Sequence, residues 1–123
     1  MQSLAKRSIL VVDDEPLLRE ILRDELEAAG AKVWEAGNTQ EARALLRSQA
    51  FDAVLTDMRM PGGDGVALLD EIPQLTQKPV VLLMSGYPDL SLEQAIARGA
   101  KGILTKPLDL NLVISQLAQA IGG

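Results

Sequence analysis

The 123-residue chain contains neither cysteine nor histidine. Disulfides and thiol catalysis are therefore excluded, and the commonest nitrogen ligand for metals, which is also the commonest general base, is missing. Zinc sites and Ser-His-Asp triads go with it. A long apolar run is absent too. The opening MQSLAKRSILVV has basic residues but only Ile9 to Val12 as a strong apolar stretch before Asp13, too short for a signal-peptide core or a membrane span. A cytoplasmic location without membrane contact is the expectation. Positive charge is also in deficit, with 12 Lys and Arg against 17 Asp and Glu and a net charge of −5. A nucleic-acid footprint needs a clustered basic face, so direct DNA or RNA binding by this segment is not expected. There is no low-complexity tract, no linker and no second domain, and no phosphate-binding loop follows the first apolar run, which disfavours flavin binding.

What is present suits one domain: a common domain length and an apolar fraction of 47%, enough for a single core. The apolar residues fall into short runs that end on polar groups. ILVV ends on Asp13 and Asp14, AVLT on Asp57, VVLLM on Ser85 and GILT on Lys106. Short apolar runs separated by helix-like segments read as parallel strands buried on both faces. Open sheets of that kind bind ligands beyond the carboxyl ends of their strands. Three carboxylates, a hydroxyl and an ammonium are thus expected at one rim.

Residues 1–7 read as a loosely held leader, and Ser8 to Val12 as the first strand. Pro16 suits the first turn of a helix, where its missing N–H costs nothing. Leu18, Ile21, Leu22, Leu26 and Ala29 then recur at helical spacing, with Arg19, Glu20, Arg23, Asp24 and Glu27 on the outer side and Gly30 as the stop. Lys32 to Ala36 alternates charged and apolar residues, as an edge strand does. Asn38 followed by Glu41 caps a second helix over Thr39 to Gln49. The third strand is Ala53 to Thr56. Val66, Leu68, Leu69 and Ile72 mark a third helix that Pro73 ends or kinks. Val80 to Met84 is the fourth strand. A fourth helix near Ser91 to Arg98, with Leu92, Ala95 and Ile96 inward, is the least anchored. Gly102 to Thr105 is the fifth strand, and Asp109 caps a last helix, Leu110 to Ile121, with Leu110, Val113, Ile114, Leu117 and Ile121 inward. The expected fold is α/β: a doubly wound, five-stranded parallel sheet of order 2-1-3-4-5 with helices on both faces. Asp13, Asp14 and Asp57 then meet where the strand order reverses.

Carboxylates crowded together raise one another's pKa, and a divalent cation relieves the conflict. An all-oxygen donor set selects Mg²⁺ or Mn²⁺. Asp57 suits the role of a carboxylate nucleophile that forms an aspartyl-phosphate. The Lys106 ammonium is placed to meet either Asp57 or a bound phosphoryl group, and Ser85 to donate to a phosphoryl oxygen or begin a turn with Gly86.

ILVVDDEP, LTDMRMPGGDG, LLMSGY and GILTKP fall in the order and spacing of the motifs of the two-component response regulator receiver domain, which the chain resembles from Ser8 to Ile121. The resemblance implies the flavodoxin-like receiver fold and a signalling switch, not an enzyme acting on a separate substrate. It implies that Asp57 accepts a phosphoryl group from a sensor histidine kinase or a histidine phosphotransfer protein. It further implies that Asp14, Asp57 and the Arg59 backbone carbonyl hold Mg²⁺, that Asp13 acts through a metal-bound water, and that the Lys106–Pro107 bond is cis. Ser85 and Lys106 then engage the phosphoryl oxygens. The expected responder is the face made by the fourth helix, fifth strand and last helix, acting on a downstream partner or effector, as a monomer or a phosphorylation-dependent dimer.

The chain departs from that family at several positions. Ile103 stands where the family usually has Tyr or Phe, so the usual turn of an aromatic ring is not available, and Tyr87 is the nearest aromatic to Ser85. Gly63 replaces an apolar residue. Arg59 and Tyr87 occupy positions that tune attack of water on the acyl phosphate, and their bulk suggests slow dephosphorylation. A phosphatase of the haloacid dehalogenase type would need an acid where Arg59 stands. A receiver that binds partners without being phosphorylated is the other rival, and the complete pocket weighs against it.

Overall fold

The computed structural model describes residues 4–60, 65–86 and 91–122. Five strands, β1 (Ser8–Val12), β2 (Lys32–Ala36), β3 (Ala53–Asp57), β4 (Val80–Ser85) and β5 (Gly102–Thr105), form one sheet in the order β2-β1-β3-β4-β5. Every pairing is parallel, with Val12 opposite Thr56 and Asp57 opposite Met84. β3 and β4 each run one residue past the expected end, so Asp57 and Ser85 belong to their strands.

The uniformly apolar runs are explained by two buried faces. Successive side chains on a strand point to opposite sides of the sheet. On one side Leu10, Val12, Val54, Val81 and Leu83 pack with Ala42, Leu46, Leu68, Leu69 and Ala95. On the other, Ile9, Val11, Leu55, Leu82 and Met84 pack with Leu22, Leu26, Val113 and Leu117. β2, at the edge, is only partly covered. There Trp34 meets Phe51 edge to face, with centroids 5.5 Å apart.

Helix α1 (Pro16–Ala28) begins with Pro16 in its first turn and buries Leu22 and Leu26. Ile21, expected inward, is 41% exposed and lies beside Leu17 on the solvent side. Gly30, at φ +100°, ends the helix: its N–H donates to the Glu27 carbonyl and that of Ala31 to Leu26. Residues 4–7 are not loosely held. Leu4 is fully buried against the α1 side of the core. The N–H groups of Leu4 and Lys6 donate to the carbonyls of Ala29 and Gly30. The apolar Leu4 docks on the exposed carbonyls at the helix end, a contact that the flanking Lys6 and Arg7 hide from a reading of composition.

Helix α2 (Thr39–Ser48) is capped by Asn38, whose Oδ1 accepts from the Glu41 N–H at 2.8 Å, while Glu41 Oε1 accepts from the Gly37 N–H. The expected third α-helix is replaced by two 3₁₀ segments, Gly65–Asp70 and Ile72–Gln74. Pro73 has no N–H for an i−4 bond and its ring would strike the Leu69 carbonyl, which favours the tighter bonds seen from Glu71 to Leu68 and from Gln74 to Glu71. Leu68 and Leu69 remain buried.

Helix α3 (Leu92–Ala97) carries a capping box formed by Ser91 and Gln94. Of its expected inner face only Ala95 is buried; Leu92 and Ile96 are each 53% exposed. Helix α4 (Leu110–Gly122) is capped by Asp109, which accepts from the N–H groups of Asn111 and Leu112, and buries Val113 and Leu117. Leu110, Ile114 and Ile121 are partly buried beside them. Among the described residues no helix is long and apolar enough to cross a membrane.

Candidate functional site

The reversal of strand order between β1 and β3 leaves a crevice at the carboxyl ends of the strands, and the polar residues that terminate the apolar runs converge there. Asp13 follows β1 and is fully buried. Its N–H donates to the Ala36 carbonyl at 3.1 Å, and its Oδ1 accepts from the Glu15 N–H at 2.9 Å. Asp57 closes β3. The Lys106 Nζ, just after β5, donates to Asp13 Oδ2 at 3.0 Å and to Asp57 Oδ2 at 3.2 Å, with Glu15 Oε1 at 3.9 Å. Asp14 is exposed at the mouth, and oxygens of Asp13, Asp14 and Asp57 lie within 4.8 Å of one another.

The backbone fixes these positions. Lys106 N–H donates to the Ser85 carbonyl at 2.8 Å, tying the end of β5 to the end of β4. Ser85 itself is buried. Met58 N–H donates to the Met84 carbonyl at 2.9 Å, which holds the chain in place just past Asp57. The Thr56 hydroxyl donates to the Asp57 carbonyl at 3.1 Å. Gly65 returns to the same place, where a Cβ would stand 1.7 Å from the Asp57 carbonyl oxygen. The Lys106–Pro107 bond is cis.

Burial pushes the Asp57 carboxyl above its ordinary range, against the opposing charge and hydrogen bond of Lys106; Asp13 adds to the rise and the Arg59 backbone N–H opposes it. For Lys106, burial acts to lower the pKa. The hydrogen bond to Asp13 and the charges of both carboxylates outweigh it, and the ammonium is held above its usual value. Lys106 thus stays charged between two acids.

The donor set fits a small hard cation: three carboxylates converge and the chain has no histidine or cysteine to offer. Asp13, Asp14, Asp57, Ser85 and Lys106 are brought to one rim. Ile103 lies elsewhere, half-buried on β5 and packed against the core on the α2 side. Tyr87 and Gly63 lie outside the described residues. Two contributors escaped the sequence reading. Thr56 reads as one more strand residue, and Gly65 as one of several turn glycines; only the distance to Asp57 sets it apart.

A family model described as the response regulator receiver domain matches residues 9–118. The chain is 38% identical over 119 residues to the response regulator protein PilR of Pseudomonas aeruginosa, an alignment covering 96% of this chain and 27% of PilR. It thus spans about a quarter of that relative's length. Among solved structures, a response regulator receiver domain protein from Clostridium thermocellum superposes with a TM-score of 0.86 at 30% identity, covering 94% of each chain. A response regulator from Burkholderia pseudomallei, solved with a phosphorylated aspartic acid, a calcium ion and citrate, gives 0.84 at 25% identity, covering 95% of this chain and 69% of that one.

Proposed function

The chain belongs to the response regulator receiver domain family, and from that premise we propose that it is a phosphorylation-dependent switch whose acceptor is Asp57. The observation that carries this reading is the Lys106 ammonium, 3.0 Å from Asp13 and 3.2 Å from Asp57, with Asp14 at the mouth of the same crevice. The donor is a phosphohistidine of a sensor kinase or a phosphotransfer protein. An Asp57 carboxylate oxygen attacks phosphorus, the N–P bond breaks, and the histidine nitrogen leaves with the bonding pair. The aspartyl-phosphate of the Burkholderia relative supports this assignment.

Asp14, Asp57 and the Arg59 carbonyl are the groups that would hold Mg²⁺ or Mn²⁺, with Asp13 acting through a water. When bound, the cation supplies positive charge to the phosphoryl oxygens and relieves repulsion among the carboxylates. The protein's own residues do the rest. Lys106, kept protonated by its two acids, turns to a phosphoryl oxygen as negative charge arrives. Ser85 offers its hydroxyl to another oxygen, and the Lys106-to-Ser85 backbone bond makes β4 and β5 move together.

Each charge-assisted contact is worth roughly 1.5–3 kcal/mol, enough to bias an equilibrium between states a few kcal/mol apart. Helix α3, held by Ala95 alone among its expected inward residues, is the element that responds. The α3, β5 and α4 face then meets an output partner in the cytoplasm, whether as a monomer or as a phosphorylation-dependent dimer, with no aromatic ring at Ile103 to turn inward. The phosphoryl-accepting unit runs from Ser8 to Ile121. The test is intact-mass analysis after incubation with acetyl phosphate, with and without Mg²⁺. One added phosphoryl group is expected only with the cation, and none in Asp57→Asn.

A further inference from the structure

Arg19 is, by its spacing on α1, one of the solvated residues of the outer helix face. Its side chain does something else. Nη1 donates to the backbone carbonyl of Asp13 at 2.5 Å, and Nε donates to Glu35 Oε1 at 3.2 Å. Glu35, near the end of edge strand β2, is gripped on its other oxygen by Arg23 Nη1 at 2.8 Å. The Arg19 side chain is 19% exposed and that of Glu35 27%, so this pair is less screened by solvent than an open surface pair. Gly37 completes the arrangement: a Cβ there would stand 3.2 Å from Arg19 Nη1. A side chain at position 37 would press on the guanidinium, which would have to give by a few tenths of an ångström.

The carbonyl that Arg19 holds belongs to the peptide unit joining Asp13 to Asp14. The preceding peptide is fixed as well, through the Asp13 N–H to the Ala36 carbonyl at 3.1 Å. Two consecutive peptides at the end of β1 are therefore tied to β2, one directly and one through the Arg19–Glu35 pair. The second tie restrains the peptide plane that leads into Asp14. We propose that Arg19 is a positioning residue for the cation site, holding the Asp13–Asp14 peptide so that both carboxylates bear on one ion. The inference rests on the cation site proposed above.

The sign of the effect separates positioning from electrostatics. Removing a positive charge beside an acidic cluster strengthens cation binding if charge alone matters. Loss of a group that orients ligands weakens it, typically by tenfold or more. The experiment is titration with Mn²⁺, following free Mn²⁺ by electron paramagnetic resonance, with Mg²⁺ calorimetry beside it and a urea midpoint for each variant. Arg19→Ala is expected to bind Mn²⁺ about tenfold more weakly. Arg7→Ala removes the same charge from an exposed pair with Asp52 at the far end of β1, and is expected to match the wild type within about twofold. If Arg19→Ala does not fold, Arg19→Lys carries the test. It keeps the charge but cannot hold Asp13 and Glu35 together, and is expected to bind at least about threefold more weakly. Unchanged or tighter binding in the folded variant overturns the inference while leaving the cation site standing. A wild type that takes up no Mn²⁺, or takes it up equally as Asp57→Asn, overturns both.

Discussion

Gly65 sits so close to Asp57 that a Cβ on it would be 1.7 Å from the Asp57 carbonyl oxygen and 2.6 Å from the Thr56 hydroxyl. The 3₁₀ segment that Gly65 opens thus packs its first residue directly against the Asp57 backbone. Gly65→Ala must push the backbone of β3 or of the segment aside. A loss of about 1–3 kcal/mol in urea unfolding is expected, typical of overpacking, with slower phosphorylation of Asp57 by acetyl phosphate. Wild-type stability and rate together would show that the contact does not constrain Asp57.

Lys106 sets one positive charge between two carboxylates, and its loss leaves Asp13 and Asp57 facing each other. Lys106→Met is expected to lose roughly 1–3 kcal/mol at pH 7, partly restored by Mg²⁺, and to bind the cation more tightly than the wild type. Because the folded protein holds the Lys106 pKa above its usual value, this contribution is present at neutral pH. It disappears as pH rises beyond about 10.4, the ordinary lysine value, through the folded one. Urea midpoints across that range, with and without Mg²⁺, are the check.

Asp57 is shifted upward by burial, so the folded state favours its protonated form and stability falls as pH rises through the folded pKa. Asp57→Asn removes the ionised group. In the absence of divalent cations the variant is expected to be more stable than the wild type at pH 7, and the gap to close as pH drops toward about 3.9, the value for an unfolded chain. A gap that widens on acidification would reverse the sign of the argument.

Helices α3 and α4 offer a contrast in packing. Leu117, fully buried, is expected to cost about 2–5 kcal/mol when changed to Ala. Ile96, 53% exposed, should cost no more than about 0.5 kcal/mol. Amide exchange in α3 is correspondingly expected to be faster than in α4, and to change when Asp57 is phosphorylated; an α3 that exchanges as slowly as α4 in both states would exclude it as the responder.

The strands were legible because ILVV, AVLT and VVLLM are buried on both faces and need no partner to announce themselves, and the alternation of Lys32 to Ala36 marked the edge. The caps at Asn38 and Asp109 were equally readable, since a side chain that satisfies helix N–H groups acts within a few residues of itself. Features that depend on a distant segment were not. Leu4 docks on the end of α1, Ile21 turns to solvent while Leu22 and Leu26 of the same stripe are buried, and Arg19 leaves the outer face of its helix to reach β2. The 3₁₀ segments fall between these cases: Pro73 foretold the break, but the spacing of Val66, Leu68, Leu69 and Ile72 does not distinguish a 3₁₀ turn from an α-helical one.

The most direct test of the central claim locates the modification itself. Protein treated with acetyl phosphate and Mg²⁺ is reduced with borohydride, which converts an acyl phosphate to homoserine, and its peptides are sequenced by mass spectrometry. Homoserine is expected at position 57 alone, and nowhere when Mg²⁺ is withheld or Asp57→Asn is used. Homoserine at another carboxylate, or none at position 57 with donor and cation both present, would contradict the account.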